Sequence, residues 1–194
     1  KYPDVSVQLQ VHSTRRTGWS VANGQIDLAI IGGQLPGDLE NLLQVIPYAT
    51  DELALVLPSK HPLSNKKELL KEDLYKLNFV KLDSQSTTRK VVDKLLQDSG
   101  LDIQRLKIEM ELNSLEAIKN AVQSGLGASF LPVVSIEREL SAGTIHKAFI
   151  ADLEVKRELK LITNPSRYTS RASEVFKKNI LPQFASFESP LRES

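Results

Sequence analysis

Short hydroxyl and amide side chains cluster at three places where a turn precedes a helical pattern. The clusters are His12-Ser13-Thr14, Gln85-Ser86-Thr87-Thr88-Arg89 and Asn113-Ser114. The first backbone N–H groups of a helix lack partners within the helix, and the helix dipole adds a partial positive charge there. A helix start therefore favours a bound anion. The middle cluster adds the fixed charge of Arg89 about one turn into its helix. Together the three clusters predict a binding site for a small anion.

Helix capping explains each cluster when it is taken alone, because N-caps prefer the same short polar residues. Asn113 and Glu116, three residues apart, match a capping box, and Arg89 alone matches a solvated helix residue. Both interpretations stay open for a single cluster, and the occurrence of three favours the anion site. An Arg beside hydroxyl groups suits a phosphate and a carboxylate alike, so the pattern does not separate these ligands.

The sequence carries no recognisable catalytic or metal-binding pattern. His12, His61 and His146 are scattered without the spacing of metal ligands, and the chain has no cysteine. Neither a nucleophile elbow nor a phosphate-binding loop is present. We interpret the carboxylate pairs Asp51-Glu52 and Glu72-Asp73 as solvated surface charges. We therefore expect no catalytic residues, no metal site and no enzymatic activity.

Length and composition are those of an ordinary globular protein. The chain has 194 residues, of which 41% are hydrophobic and 25% are charged, and its net charge is +1. This balance argues against nucleic-acid binding through bulk electrostatics. The lack of cysteine excludes a disulfide scaffold and fits a reducing compartment. No apolar run reaches the length of a membrane span and no signal peptide is evident, so we expect no membrane partner.

The hydrophobic pattern alternates strands with helices, which predicts an α/β protein with a largely parallel sheet. Such sheets bind ligands at the carboxyl ends of their strands. The alternation begins almost at the first residue, so we expect further sequence upstream. A tail after Phe187 is predicted to be disordered. The predicted strands are 5–11, 26–31, 53–57, 79–82, 107–112, 128–134 and 158–162, and the predicted helices follow Ser13, Gln85, Asn113 and Ser170.

One strand–helix–strand pattern occurs twice. Val5–Ile31 and Leu106–Leu131 each contain an alternating strand, a Ser at the helix start, a Gly at its end and a short apolar strand. The Ser and the Gly are eleven positions apart in both copies. The pattern predicts two related lobes. The alternative is that all strand–helix–strand units look alike.

Two segments resemble the effector-binding domain of LysR-type transcriptional regulators. They are Gly24-Gln-Ile-Asp-Leu-Ala-Ile30 and Ser124-Gly-Leu-Gly-Ala-Ser-Phe-Leu-Pro132. Within that family, residues 7–33 and 109–127 are similar to the regulators of RuBisCO and other carbon-fixation genes in cyanobacteria and plastids. The resemblance implies two Rossmann-like lobes of the periplasmic-binding-protein type II kind, with a ligand cleft between them and a hinge at two crossovers. It assigns residues 1–75 and 160–194 to lobe I and residues 76–159 to lobe II.

The resemblance also implies an effector and the residues that hold it. The expected effectors are small molecules of carbon metabolism: ribulose bisphosphate, 2-phosphoglycolate, 2-oxoglutarate or NADPH. No cofactor is expected. The implied contacts are Ser13, Thr14, Gly32, Gly33, Gln85, Thr87, Thr88, Arg89, Asn113 and Ser114, with Arg16 and Trp19 as additional candidates.

For partners, the resemblance implies a homodimer of this domain and a homotetramer of the full-length protein. Promoter DNA would be bound only through a winged helix-turn-helix that precedes this domain in the family and is absent from the chain. The implied location is the cytoplasm or the plastid stroma. One alternative is a solute-binding protein of a transport system with the same fold. Another is an enzyme on this fold, against which stands the lack of an acid–base pair.

Overall fold

Seven strands and six α-helices lie along residues 5–184, the part of the chain that the computed structural model describes. Short 3-10 turns connect several of them, and the last helix continues into a π-helical turn, Phe176–Ile180. The strands are β1 Leu28–Ile31, β2 Gln44–Pro58, β3 Asn78–Leu82, β4 Lys107–Leu112, β5 Ser129–Pro132, β6 Ile145–Ala148 and β7 Lys156–Thr163. The helices are α1 Thr14–Ala22, α2 Gly37–Glu40, α3 Thr87–Asp98, α4 Leu115–Gln123, α5 Glu137–Ser141 and α6 Arg171–Val175.

The described residues form two compact units. Unit 1 contains residues 5–50 and 158–184, and unit 2 contains residues 51–157. Strands β2 and β7 carry the chain across the two boundaries. The segment 51–75, which the resemblance assigns to lobe I, packs within unit 2 because Leu53 and Leu69 are buried in the same core as Phe79. The first boundary between the two units therefore lies between Thr50 and Asp51.

Unit 2 is built around the parallel pair of β3 and β4. The pair runs to Leu82 opposite Leu112. The other edge of β3 contacts the start of β5, where the amide of Ala128 donates to Asn78 O at 2.8 Å and the amide of Val80 donates to Ala128 O at 2.9 Å. Strand β2 pairs antiparallel with β5 and β6. Two apolar cores, of fifteen and ten buried residues, fill this unit.

The predicted helix after Gln85 is confirmed as α3. Val92 and Leu96 are buried, and Val91 and Leu95 are half-buried on the same side, so the apolar stripe faces the core as its spacing predicts. The helix ends before Gly100, whose φ of +91° is a left-handed conformation that glycine adopts without strain.

Unit 1 has a much smaller core. Strand β1 pairs antiparallel with β7, which lies between β1 and β2. Helix α1 approaches α2 so closely that a Cβ on Gly18 would lie 2.7 Å from Leu39 Cδ1, which explains the glycine. The buried apolar residues of this core are Val21, Ile31, Leu35, Leu39, Leu43 and Ile162.

The twofold occurrence of one pattern is confirmed at the level of local structure. Ser13 and Ser114 each cap a nine-residue helix, and each hydroxyl oxygen accepts from the amide three residues later at 3.5 Å. Gly24 and Gly125 follow these helices with φ of +71° and +84°. Strands β1 and β5 both begin 15 residues after the capping serine and are four residues long. The second copy thus follows the first at a constant offset of 101 residues.

The mixed α/β class is confirmed, but the prediction of a largely parallel sheet is wrong. Strands β1 and β7 are antiparallel, as are β2 and its partners β5 and β6. An apolar run indicates that a strand is buried on both faces, but it does not indicate whether the strand pairs parallel or antiparallel with its neighbours.

Three local predictions are also corrected. Residues 5–11 form no strand, and the side chains of Val7, Leu9 and Val11 are exposed. The cap of α4 is Ser114, so Asn113 and Glu116 do not form the capping box that their spacing matches. The pattern of the last predicted helix places Ala172 inward, but the structure buries Ser173 and leaves Ala172 exposed. The predicted disorder after Phe187 lies outside the described residues.

Candidate functional site

The start of α3 collects the hydroxyl groups that the sequence singles out. Ser86 is the N-cap, and its Oγ accepts from the amide of Arg89 at 3.4 Å. Thr87 and Thr88 form the first turn and are half-buried. Gln85 is exposed, and its amide donates to Asp83 Oδ1 at 2.9 Å. Capping is therefore real here, and it uses Ser86 while the hydroxyl of Thr88 contacts a different element.

Arg89 lies in a network of ion pairs. Its Nε donates to Asp93, and its Nη1 donates to Leu82 O at 2.9 Å and to Glu111 Oε1 at 3.0 Å. Lys81 donates to the other oxygen of Asp93 at 2.8 Å. Burial disfavours the charged form of Arg89, but the hydrogen bonds to Asp93 and Glu111 outweigh it and raise the pKa of Arg89. Burial lowers the pKa of Lys81 despite Asp93. Two cations and two carboxylates thus balance one another beside α3.

A second arginine, missed by the sequence reasoning, reaches the same helix start. Arg157 Nη1 donates to Thr88 Oγ1 at 2.7 Å. Its Nε and Nη2 donate to Asp51 Oδ2 at 2.8 and 2.6 Å. The Arg157 and Asp51 side chains are only 14% and 7% exposed. No local pattern marks this contact, because Arg157 and Thr88 are 69 residues apart in the sequence.

The structure brings the second and third clusters together. Strands β3 and β4 are parallel neighbours, so their carboxyl ends meet at one edge of the sheet. Just beyond this edge, the amide of Asp83 donates to Leu112 O at 2.9 Å. The starts of α3 and α4, with exposed Asn113 and Ser114, follow directly. We call this edge of unit 2, with Gln85–Arg89, Asn113, Ser114 and Arg157, the α3–α4 edge.

The predicted residues of the first cluster lie in unit 1. Ser13 caps α1, and Gly32 and Gly33 follow β1. Since the chain reverses at Gly24 and α1 packs against β1, the start of this helix and the end of this strand lie on the same side of the unit. The further predicted residues are Thr14, which is half-buried, and Arg16 and Trp19, which are exposed.

The two carboxylate pairs are not simply solvated, which corrects the sequence interpretation. Asp51 binds Arg157, and Glu52 accepts from Lys147 at 2.7 Å. Asp73 is buried and accepts from Lys76, from the amide of Leu70 and from Lys66. These three hydrogen bonds hold its pKa at about 2. Asp51 and Asp73 are therefore the buried, hydrogen-bonded members of the two pairs, whereas Glu72 is exposed as the sequence interpretation predicts.

Asp73→Asn is expected to destabilise the protein in a pH-dependent way. The depressed pKa of Asp73 contributes stability above the ordinary value of 3.8, and this contribution is lost as the pH falls toward about 2. The free energy of unfolding of the wild type should therefore exceed that of the variant by about 2 kcal/mol at pH 7, and this difference should disappear between pH 4 and pH 2. Urea unfolding at several pH values measures it. Glu72→Gln at the neighbouring exposed position is the control, and a gap independent of pH would contradict the assignment.

Within residues 5–184, no cluster of three or more His, Asp or Glu side chains is arranged to hold a metal ion. The same residues contain no helix long and apolar enough to cross a membrane.

Comparison with known proteins gives consistent matches. The model of the LysR substrate binding domain matches residues 1–185. A protein named probable RuBisCO transcriptional regulator from Synechocystis sp. is 61% identical over 185 residues, which are 95% of this chain and 54% of that protein. A protein of the same name from Porphyra purpurea is 59% identical over 95% of this chain and 58% of its own length. The chain thus spans a little over half the length of these relatives.

A solved structure shares the fold. The regulatory domain of Synechocystis CcmR, in complex with 2-phosphoglycolate, superposes with a TM-score of 0.82 at 24% identity. The superposition covers 96% of this chain and 86% of that one.

Proposed function

Because the chain belongs to the family of LysR substrate-binding domains, we propose that it is the effector-sensing domain of a transcriptional regulator of RuBisCO genes. Its relatives with about 60% identity carry that name. The relatives extend well beyond the matched region, and promoter DNA would be bound by a winged helix-turn-helix outside this chain. The domain would pair with a second copy, in a tetramer of the full-length protein, in the cytoplasm or the plastid stroma.

The observation that carries effector binding is the α3–α4 edge. Two helix starts present backbone N–H groups and short hydroxyl and amide side chains at the same edge of a parallel strand pair. The guanidinium group of Arg157 donates to Thr88 at the first of these starts, and that of Arg89 donates to Leu82 O and Glu111 at the ends of β3 and β4. This is the arrangement in which helix starts bind phosphate and carboxylate groups. We assign direct contact to Gln85, Thr87, Thr88, Arg89, Asn113 and Ser114, and keep Ser13, Thr14, Gly32, Gly33, Arg16 and Trp19 as predicted contacts in unit 1.

The arginines of the α3–α4 edge are already paired with carboxylates, which determines how this edge would bind an anion. Asp93 and Glu111 already face Arg89, and Asp51 already faces Arg157. The edge therefore offers hydrogen-bond donors and helix dipoles rather than an excess of positive charge. An effector gains affinity through oriented donors, which suits reversible sensing. Sensing further requires that the effector bind two conformations of the protein differently.

We take 2-phosphoglycolate as the first effector to test, because the structural neighbour CcmR is described in complex with it. Ribulose bisphosphate, 2-oxoglutarate and NADPH complete the panel. We infer binding rather than catalysis, since the relatives are named transcriptional regulators. The same names give no support to the transport alternative.

Thr88→Val is expected to weaken binding of the effector by about tenfold or more, because the hydroxyl group and its orientation by Arg157 are lost. A thermal-shift titration of the wild type with the panel identifies the ligand by a saturable rise in melting temperature. Isothermal titration then compares its Kd for the two proteins. Ser141→Ala, at an exposed position of α5, is the control and should leave Kd unchanged. Equal affinity of wild type and Thr88→Val would remove Thr88 from the site, and no rise with any compound would leave the effector assignment without support.

A further inference from the structure

Glu111 is the exposed member of an otherwise largely buried network of ion pairs beside the α3–α4 edge. Its side chain is 44% exposed, whereas those of Lys81, Arg89 and Asp93 are 6%, 13% and 16% exposed. Lys81 and Arg89 donate to different oxygens of Asp93. Among the described residues, Glu111 accepts only from Arg89 Nη1, at 3.0 Å. Because water screens an exposed ion pair, Glu111 is the member that is released most easily.

The hydrogen bonds of Arg89 show what an anion would have to replace. A guanidinium group has five N–H donors. Nε is held by Asp93, and the two hydrogens of Nη1 have two acceptors, Leu82 O at 2.9 Å and Glu111. None of the described residues accepts from Nη2. A carboxylate or phosphate binds an arginine bidentately through two parallel N–H groups. With Nε occupied, that pair is Nη1 and Nη2, so a bidentate anion must displace one acceptor of Nη1.

Glu111 is the acceptor that can leave. Leu82 O belongs to the backbone of β3 and is fixed by the sheet, whereas the Glu111 side chain can turn into water. The charges favour the same exchange. Lys81, Arg89 and Asp93 together carry one excess positive charge, which Glu111 balances. An anion in place of Glu111 restores this balance, but an anion added beside Glu111 is repelled by it.

We propose that Glu111 occupies the anion-binding position of Arg89 in the free protein, and that a carboxylate or phosphate group of the effector displaces it. This inference rests on the proposed function, because the effector must bind at the α3–α4 edge. Glu111 then sets the affinity, since it raises the effector concentration at which the edge fills. It also sets the specificity, because a neutral ligand cannot replace its charge.

Glu111→Gln tests the displacement, because the amide keeps the size of the side chain and removes its charge. Isothermal titration with the panel of effectors is expected to give a Kd about fivefold lower than that of the wild type for the compound that binds. Glu109→Gln is the matched control, at an exposed position of the same strand, and should leave the Kd unchanged. A purely structural Glu111 would instead give an equal or higher Kd in Glu111→Gln, and this result overturns the proposal.

Arg89→Gln shows whether Glu111 competes for Arg89 or repels anions in general. The Kd values of Arg89→Gln and of the double variant with Glu111→Gln are compared by thermal-shift titration, which also detects weak binding. Competition at Arg89 predicts equal Kd values for these two proteins, or binding by neither. A fivefold gain that persists without Arg89 overturns the proposal.

The same titrations separate this proposal from the proposed function. Binding by the wild type with an equal Kd in Glu111→Gln overturns the displacement and leaves effector sensing in place. If neither the wild type nor Glu111→Gln binds any compound of the panel, effector binding at the α3–α4 edge fails, and the displacement fails with it.

Discussion

Replacement of Asp51 by Ala is expected to lower the free energy of unfolding by about 3–5 kcal/mol, because it breaks a buried ion pair from one side. The Asp51 carboxylate accepts two hydrogen bonds from Arg157, and the two side chains are 7% and 14% exposed. Without the carboxylate, the guanidinium group keeps its charge in a site that water reaches poorly. Urea unfolding followed by circular dichroism measures the loss.

Two further variants test whether the loss of stability comes from breaking the ion pair or from removing any aspartate. Asp38→Ala breaks an exposed pair with Arg15, whose side chains are 42% and 64% exposed, and should cost less than about 1 kcal/mol. The double variant Asp51→Ala with Arg157→Met removes both charges and should recover most of the loss. A cost for Asp51→Ala no greater than that for Asp38→Ala would show that the pair is effectively solvated.

The same variant connects stability to the proposed function. Arg157 is held by Asp51 and in turn donates to Thr88 at the start of α3. Loss of Asp51 therefore frees the guanidinium group that orients Thr88. If the α3–α4 edge binds the effector, Asp51→Ala should weaken binding although Asp51 is not among the contacts assigned to the effector.

The features that sequence predicts best here are set by neighbours within a few residues. Ser13 and Ser114 were expected at helix starts and Gly24 and Gly125 at helix ends, and all four are confirmed. A cap needs only a hydroxyl group and an amide three residues away, so local sequence determines it. Gly127, in the second segment that resembles the family, is explained by a distant contact instead. A Cβ on Gly127 would lie 2.6 Å from Asn78 O, a contact between residues about 50 positions apart.

The features that sequence misses depend on distant partners. The alternation of residues 5–11 shows a capacity to pair, but a strand forms only where a neighbouring edge is present. The direction of β2 and β7 likewise depends on which strands they meet. Arg157 and Asp51 are 106 residues apart, and neither has a distinctive local context. Arg89 was expected from its position in α3, but its contact with Glu111 arises only because β3 and β4 are parallel neighbours.

Phe79→Ala is expected to cost about 3–5 kcal/mol, because it empties the centre of unit 2. Phe79 is fully buried on β3, and its ring is parallel to that of Phe130 with the centroids 6.3 Å apart. The loss combines the transfer of a large apolar side chain with a cavity that neighbouring strands cannot close. Urea unfolding measures it, and a lower affinity for the effector should accompany it because β3 leads into the start of α3.

Phe149→Ala is the matched control for this variant, because the same side chain is removed from a position that is 58% exposed. Its cost should stay below about 1 kcal/mol. Similar costs for the two variants would mean that the packing of β3 contributes little to the stability of unit 2.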